Sequence, residues 1–91
     1  MEVQGPVLIT VEDGHLPEVV ARLREFCGEG ITIDKAYPLA NPSGQVNMIA
    51  FIVAQSQRLF DEFIQIIMSY IGITTCTGYP QYPDLTQESP I

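Results

Sequence analysis

The chain carries one run that is apolar at nearly every position, Val46-Asn47-Met48-Ile49-Ala50-Phe51-Ile52-Val53-Ala54. Side chains alternate across a β-strand, so Val46, Met48, Ala50 and Ile52 point one way and Asn47, Ile49, Phe51 and Val53 the other. A strand apolar on both faces is central in its sheet, and it needs a cover on each side. Around it the hydrophobic spacing alternates between the two regular periods. Gly5-Pro6 opens a strand over Val7-Leu8-Ile9-Thr10-Val11, and Glu12-Asp13-Gly14 has the chemistry of a turn. Leu16, Val19, Val20, Leu23, Phe26 and Cys27 then recur at helical spacing, with Pro17 in the first turn and Gly28-Glu29-Gly30 as the stop.

Ile31-Thr32-Ile33-Asp34-Lys35-Ala36-Tyr37 alternates as a second strand, and Pro38 after it marks an edge. Asn41-Pro42-Ser43-Gly44 is a turn signal leading into the doubly apolar third strand. Ser56 is placed to cap a second helix over 57–71, whose stripe is Leu59, Phe60, Phe63, Ile64, Ile67, Tyr70 and Ile71. Gly72 stops it, and Ile73-Thr74-Thr75-Cys76-Thr77 reads as a fourth, β-branched strand. The order βαββαβ is that of the α+β, ferredoxin-like fold: a four-stranded antiparallel sheet with two helices on one face. In it the first and third strands are central and the second and fourth are edges, which agrees with their respective apolar and polar character. Residues 1–78 form this domain. Residues 79–91 read as a C-terminal tail containing Pro and Tyr, either loose or an extended arm packing its tyrosines on a neighbour.

Composition sharpens the picture in two ways. Hydrophobic residues make up 46% of the 91 residues and charged ones 16%, a rich ratio for so small a domain and a sign that apolar surface is shared between chains. Acidic residues outnumber basic ones 11 to 4, for a net charge of −7. With Arg22, Arg24, Lys35 and Arg58 as the only cations, the balance argues against nucleic acid and against anionic membranes as partners. No basic-then-apolar leader and no membrane-length apolar run is present, so the expected location is cytoplasmic. Cys27 and Cys76 are too few for a disulfide framework, and Cys27 lies in line with the apolar stripe of the first helix, as a small buried thiol would.

Two families of this shape share residues with the chain. Gly14 and Leu16, followed by Gly30-Ile31-Thr32-Ile33, resemble the opening of an ACT domain, with its Asp-x-Pro-Gly-x-Leu turn and its Gly-Ile-Asn-Ile strand start. Val11 and Asp13 stand here where that turn has Asp and Pro, and Thr32 where the strand has Asn. The likeness covers about the first third of the chain. Glu18-Val19-Val20 through Gly30-Ile31-Thr32-Ile33 is also similar to the first helix and second strand of PII-like signalling proteins, although the connection 38–45 is too short for their long ligand-gated loop. Both resemblances imply a regulatory, ligand-sensing module. The ACT resemblance places a ligand at the turn after the first strand, on Glu12, Asp13, Gly14, His15 and Leu16.

The chemistry of that turn is mixed. Backbone N–H groups at a helix start suit a carboxylate and Gly14 allows close approach, whereas Glu12 and Asp13 favour a cationic or zwitterionic ligand. A plain turn leading into a helix accounts for the same residues. His15, the single histidine, and the flanking carboxylates make a weak metal set, so no metal or other cofactor is assigned. Nucleophile elbows, Cys–His pairs and phosphate loops are missing from the sequence. The reading that follows is a small non-enzymatic regulatory or ligand-sensing module that forms a homo-oligomer through its sheet, with Ile49, Phe51 and Val53, or the alternate set, at the interface. The alternative is a protein-interaction module (a subunit, a chaperone-like protein or a propeptide-like inhibitor) that covers its sheet with a different chain. A small enzyme of the dimeric αβ-barrel type is a third reading, for which Asn47 and Thr10 are the candidate polar residues.

Overall fold

The computed structural model describes residues 2–12, 14–39 and 46–82. Its elements are β1 (Val3–Val11), α1 (Leu16–Arg24), β2 (Ile31–Pro38), β3 (Met48–Ala54), α2 (Gln57–Met68) and β4 (Ile73–Gly78). The strands form one antiparallel sheet in the order β2-β3-β1-β4, so β1 and β3 are central and β2 and β4 are edges. This is the βαββαβ fold expected from the hydrophobic pattern. The turn over 41–44 lies outside the described residues.

Both helices cover the same face of the sheet. Val3, Val7, Ile9 and Val11 of β1 meet Met48, Ala50, Ile52 and Ala54 of β3 there, under Val19 and Leu23 of α1 and Phe60, Phe63 and Ile67 of α2. Phe60 and Phe63 are the largest side chains fully removed from water, and burying each contributes roughly 1.5–3 kcal/mol. Phe26 packs edge-on against Phe63, with ring centroids 5.2 Å apart, and ties the end of α1 to α2. Ser56 caps α2 as expected, its hydroxyl accepting the Leu59 N–H at 3.3 Å.

Four local differences from the sequence reading have physical causes. β1 begins at Val3, and Gly5 and Pro6 lie inside it. Pro6 is tolerated because its carbonyl accepts the Tyr79 N–H at 3.0 Å on the side where β4 gives way to the 79–82 segment, so its missing donor disrupts no regular ladder. α1 stops at Arg24, which takes Phe26 and Cys27 off helical spacing and leaves Cys27 exposed rather than buried. α2 stops at Met68, so Ile71 falls in the following turn and is 71% exposed. Beyond Gly78 the chain still follows β1: Gln4 and Gln81 exchange backbone hydrogen bonds at 2.9 and 2.8 Å, and the Tyr82 hydroxyl donates to Gln57 Oε1 at 2.8 Å. Residues 83–91 of the tail lie outside the described residues.

Candidate functional site

Two regions expected to matter from sequence sit on different parts of the molecule. The first is the turn between β1 and α1. The Glu12 N–H donates to the Gly72 carbonyl at 2.7 Å, and the His15 N–H donates to the Glu12 carbonyl at 3.1 Å. Gly14 has φ +89°, a left-handed conformation that glycine adopts at no steric cost. Leu16 packs against the core, and Asp13 lies outside the described residues. His15 stands at the N-cap of α1 without a side-chain capping bond, and its Nδ1 is 3.3 Å from Glu18 Oε2. The structure thus brings Glu12, Gly14, His15 and Leu16 together at a helix start, with the carboxylate of Glu18 beside His15. Among the described residues no three His, Cys, Asp or Glu side chains gather as a metal site would require.

The second region is the sheet face turned away from the helices. Pairing register arranges its side chains in rows across the strands. Thr32, Val53 and Gln4 form one row, Lys35, Phe51 and Pro6 the next, and Tyr37, Ile49, Leu8 and Thr77 the third. Tyr37 and Phe51 are in contact, ring centroids 6.5 Å apart. Pro6, Leu8, Ile49, Phe51 and Val53 therefore make one apolar band along the two central strands, and none of them is fully buried. Threonines, Lys35 and glutamines border it. An apolar centre inside a polar rim is the usual composition of a protein–protein contact. The sequence left open which residues of β3 face outward; the structure selects Ile49, Phe51 and Val53, because Met48, Ala50, Ile52 and Ala54 are the ones under the helices.

The polar residues near this face have definite roles. Asn47 Oδ1 accepts the Val11 N–H at 2.9 Å and its Nδ2 donates to the Val11 carbonyl at 2.8 Å. Its side chain thereby supplies the partner that β1 lacks just before β3 begins. Thr10 Oγ1 accepts a hydrogen bond from the Thr75 hydroxyl at 2.7 Å. Pro6, Leu8, Tyr37 and Lys35 were not singled out from the sequence as members of this face. The alternation within β1 was the signal that could have found the first two. The register shift between Ile33 and Lys35 hides the other two, since alternation from Ile33 would send both to the covered side.

No family model matches the chain, and no curated protein sequence does. Solved structures do. FFRP-DM1 superposes with a TM-score of 0.73 at 18% identity, over 88% of this chain and 99% of that one. An AsnC family transcriptional regulator from Agrobacterium tumefaciens superposes with a TM-score of 0.69 at 17% identity, over 92% of this chain and 52% of that one. The chain therefore spans about half the length of that regulator. At these identities the likeness is one of fold, and the ACT and PII resemblances hold at that same level, a shared βαββαβ domain.

Proposed function

We propose that the chain is a small non-enzymatic regulatory module that pairs with a second copy of itself through the open sheet face. The observation that carries this reading is the contiguous band of Pro6, Leu8, Ile49, Phe51 and Val53, left uncovered by the helices on the two most apolar strands. A fold shared with a transcriptional regulator supports a regulatory role. The turn at Glu12, Gly14, His15 and Leu16 is the proposed ligand site, at the end of the sheet where Asn47 ties β3 to Val11. The net charge of −7 argues against nucleic acid as a partner of these residues.

Sedimentation equilibrium at micromolar concentration tests the assembly. The native chain is expected to be a dimer or larger. Phe51→Asp is expected to raise the dissociation constant by at least about a hundredfold, since it removes a large apolar contact and places a charge at the centre of the band. Circular dichroism should show that the variant stays folded, because Phe51 makes no part of the helix-covered core. A strictly monomeric native chain refutes the reading.

A further inference from the structure

A cavity of about 280 Å³ opens on the sheet face beside the apolar band. Phe51 and Val53 form its floor, and Gln4, Asp34, Lys35 and Gln81 stand at its rim. What brings the two charges there is an irregularity in β2. Ile33 lies opposite Ile52 on the helix-covered side, so strict alternation would send Lys35 to that same side, into the core. The register shift after Ile33 sets Lys35 opposite Phe51 on the open face and returns Ala36 to the covered side opposite Ala50. Asp34 is the extra residue and reaches the same rim. Bulges that re-aim a side chain in this way recur next to binding and catalytic sites.

The two charges are not spent on each other. Among the described residues the one salt-bridge contact is that of His15 Nδ1 with Glu18 Oε2, and Gln4, Asp34, Lys35 and Gln81 are exposed. Once a second copy covers this face, as proposed above, the Lys35 ammonium loses water and requires an anion, because a cation buried without a partner is strongly destabilised. Asp34 requires a donor for the same reason. A ligand that satisfies both carries an acidic group and a hydroxyl on an apolar body, and the cavity is of the size of one substituted ring.

We propose that this cavity binds a small hydroxylated aryl carboxylate between Lys35 and Asp34, with its ring on Phe51 and Val53 and the second copy as its roof. The acidic group meets the Lys35 ammonium and the side-chain amide N–H groups of Gln4 and Gln81, and the hydroxyl donates to the Asp34 carboxylate. The site is separate from the turn at Glu12 to Leu16, but it rests on the sheet-face assembly proposed above.

Titration calorimetry with para-hydroxyphenylacetate, run beside sedimentation velocity on the same samples, tests it. The native chain is expected to bind the probe. Para-cresol, which lacks the carboxylate, and phenylacetate, which lacks the hydroxyl, should each bind at least about tenfold more weakly. Lys35→Met, whose side chain keeps the length without the charge, should lose at least about tenfold in affinity for the probe while its circular dichroism is unchanged. A dimer that takes up no probe at millimolar concentration, or a Lys35→Met variant that binds it equally well, overturns the cavity site and leaves the assembly standing. A monomer that takes up no probe overturns both. A monomer that binds with the stated Lys35 dependence supports the site and overturns the roof.

Discussion

Asn47 offers the sharpest test of how the open end of the sheet is held. Its amide replaces a strand: one hydrogen bond from the Val11 N–H and one to the Val11 carbonyl, at 2.9 and 2.8 Å, in partly buried surroundings. Its own backbone is engaged as well, the N–H with Ile9 and the carbonyl with Leu39. Asn47→Leu keeps the backbone bonds and much of the volume and removes only the amide. Two net hydrogen bonds of about 0.5–1.5 kcal/mol each put the loss at ~1–3 kcal/mol. Val11 is only 3% exposed, so its orphaned backbone groups find water poorly and the upper half of that range is expected. In a domain of this size, that is a drop in Tm of roughly 8–24 °C. Urea unfolding at one fixed protein concentration gives the free energy and keeps any contribution from assembly constant. A loss below about 0.5 kcal/mol would refute the role assigned to the amide. Asn47→Asp adds a pH signature. The introduced carboxyl accepts from the Val11 N–H in either state, but it donates to the Val11 carbonyl only when protonated. Its folded pKa is therefore raised, the native state binds the extra proton, and stability falls as pH climbs through the ordinary aspartate value of about 3.9 and above.

Three further outcomes are expected. Gly5→Ala would place a methyl group against the Tyr79 carbonyl oxygen, so the 79–82 segment should detach, at a cost of about 1–3 kcal/mol; unchanged hydrogen-exchange protection of the Gln4 and Gln81 N–H groups would contradict this. Gly72→Ala combines φ +96° with overlap on the His15 side chain, and should cost about 1–3 kcal/mol in urea unfolding while shifting the His15 ring resonances; a neutral substitution would show that the two turns are not docked. Cys27 is exposed, whereas burial pushes the Cys76 thiol up to about 11 from 9.0, so iodoacetamide at pH 8 should modify Cys27 first. The protonated Cys76 thiol is favoured in the folded state, so its contribution to stability is complete below pH 9 and is lost between pH 9 and 11; equal alkylation rates for the two thiols would sink both statements.

The parts of the fold that were legible from sequence are those where local preference and tertiary packing agree. Ser56 before an amphipathic run, Pro38 at the end of a polar strand and the stripe Phe60, Phe63, Ile67 each have a local cause that the tertiary structure keeps. The misread positions are those where a distant segment decides. Gly5-Pro6 has the composition of a strand opener, and nothing nearby announces that Tyr79 packs against Gly5 and bonds Pro6. Ile71 continues the α2 stripe by spacing, yet the helix ends at Met68 so that Gly72 can turn back toward Glu12. The candidate ligand turn was legible as a turn because Gly14 signals its own conformation. The sheet face was legible only as two rival sets of residues. Choosing between them required knowing where the helices lie, which no single strand encodes.

That choice changes what the doubly apolar strand means. Had the helices covered Ile49, Phe51 and Val53, the open face would have shown Met48, two alanines and Ile52, a shallow surface with little to hold a partner. The observed arrangement places the small residues Ala50 and Ala54 in one buried cluster with the bulky Phe60, Phe63 and Ile67 and turns Ile49, Phe51 and Val53 outward. Small residues on the strand leave room for large ones on the helix, so the core cluster is closed without the outward set. The outward set is thus in excess of what the isolated fold needs. On the adjoining edge strand the register shift takes Lys35 out of the core and delivers it beside Phe51. Two independent devices, a size pattern on β3 and a bulge on β2, therefore act on one patch: the first leaves it apolar, and the second sets the one cation of this face at its border. A strand serving only as a spacer within a core would need neither.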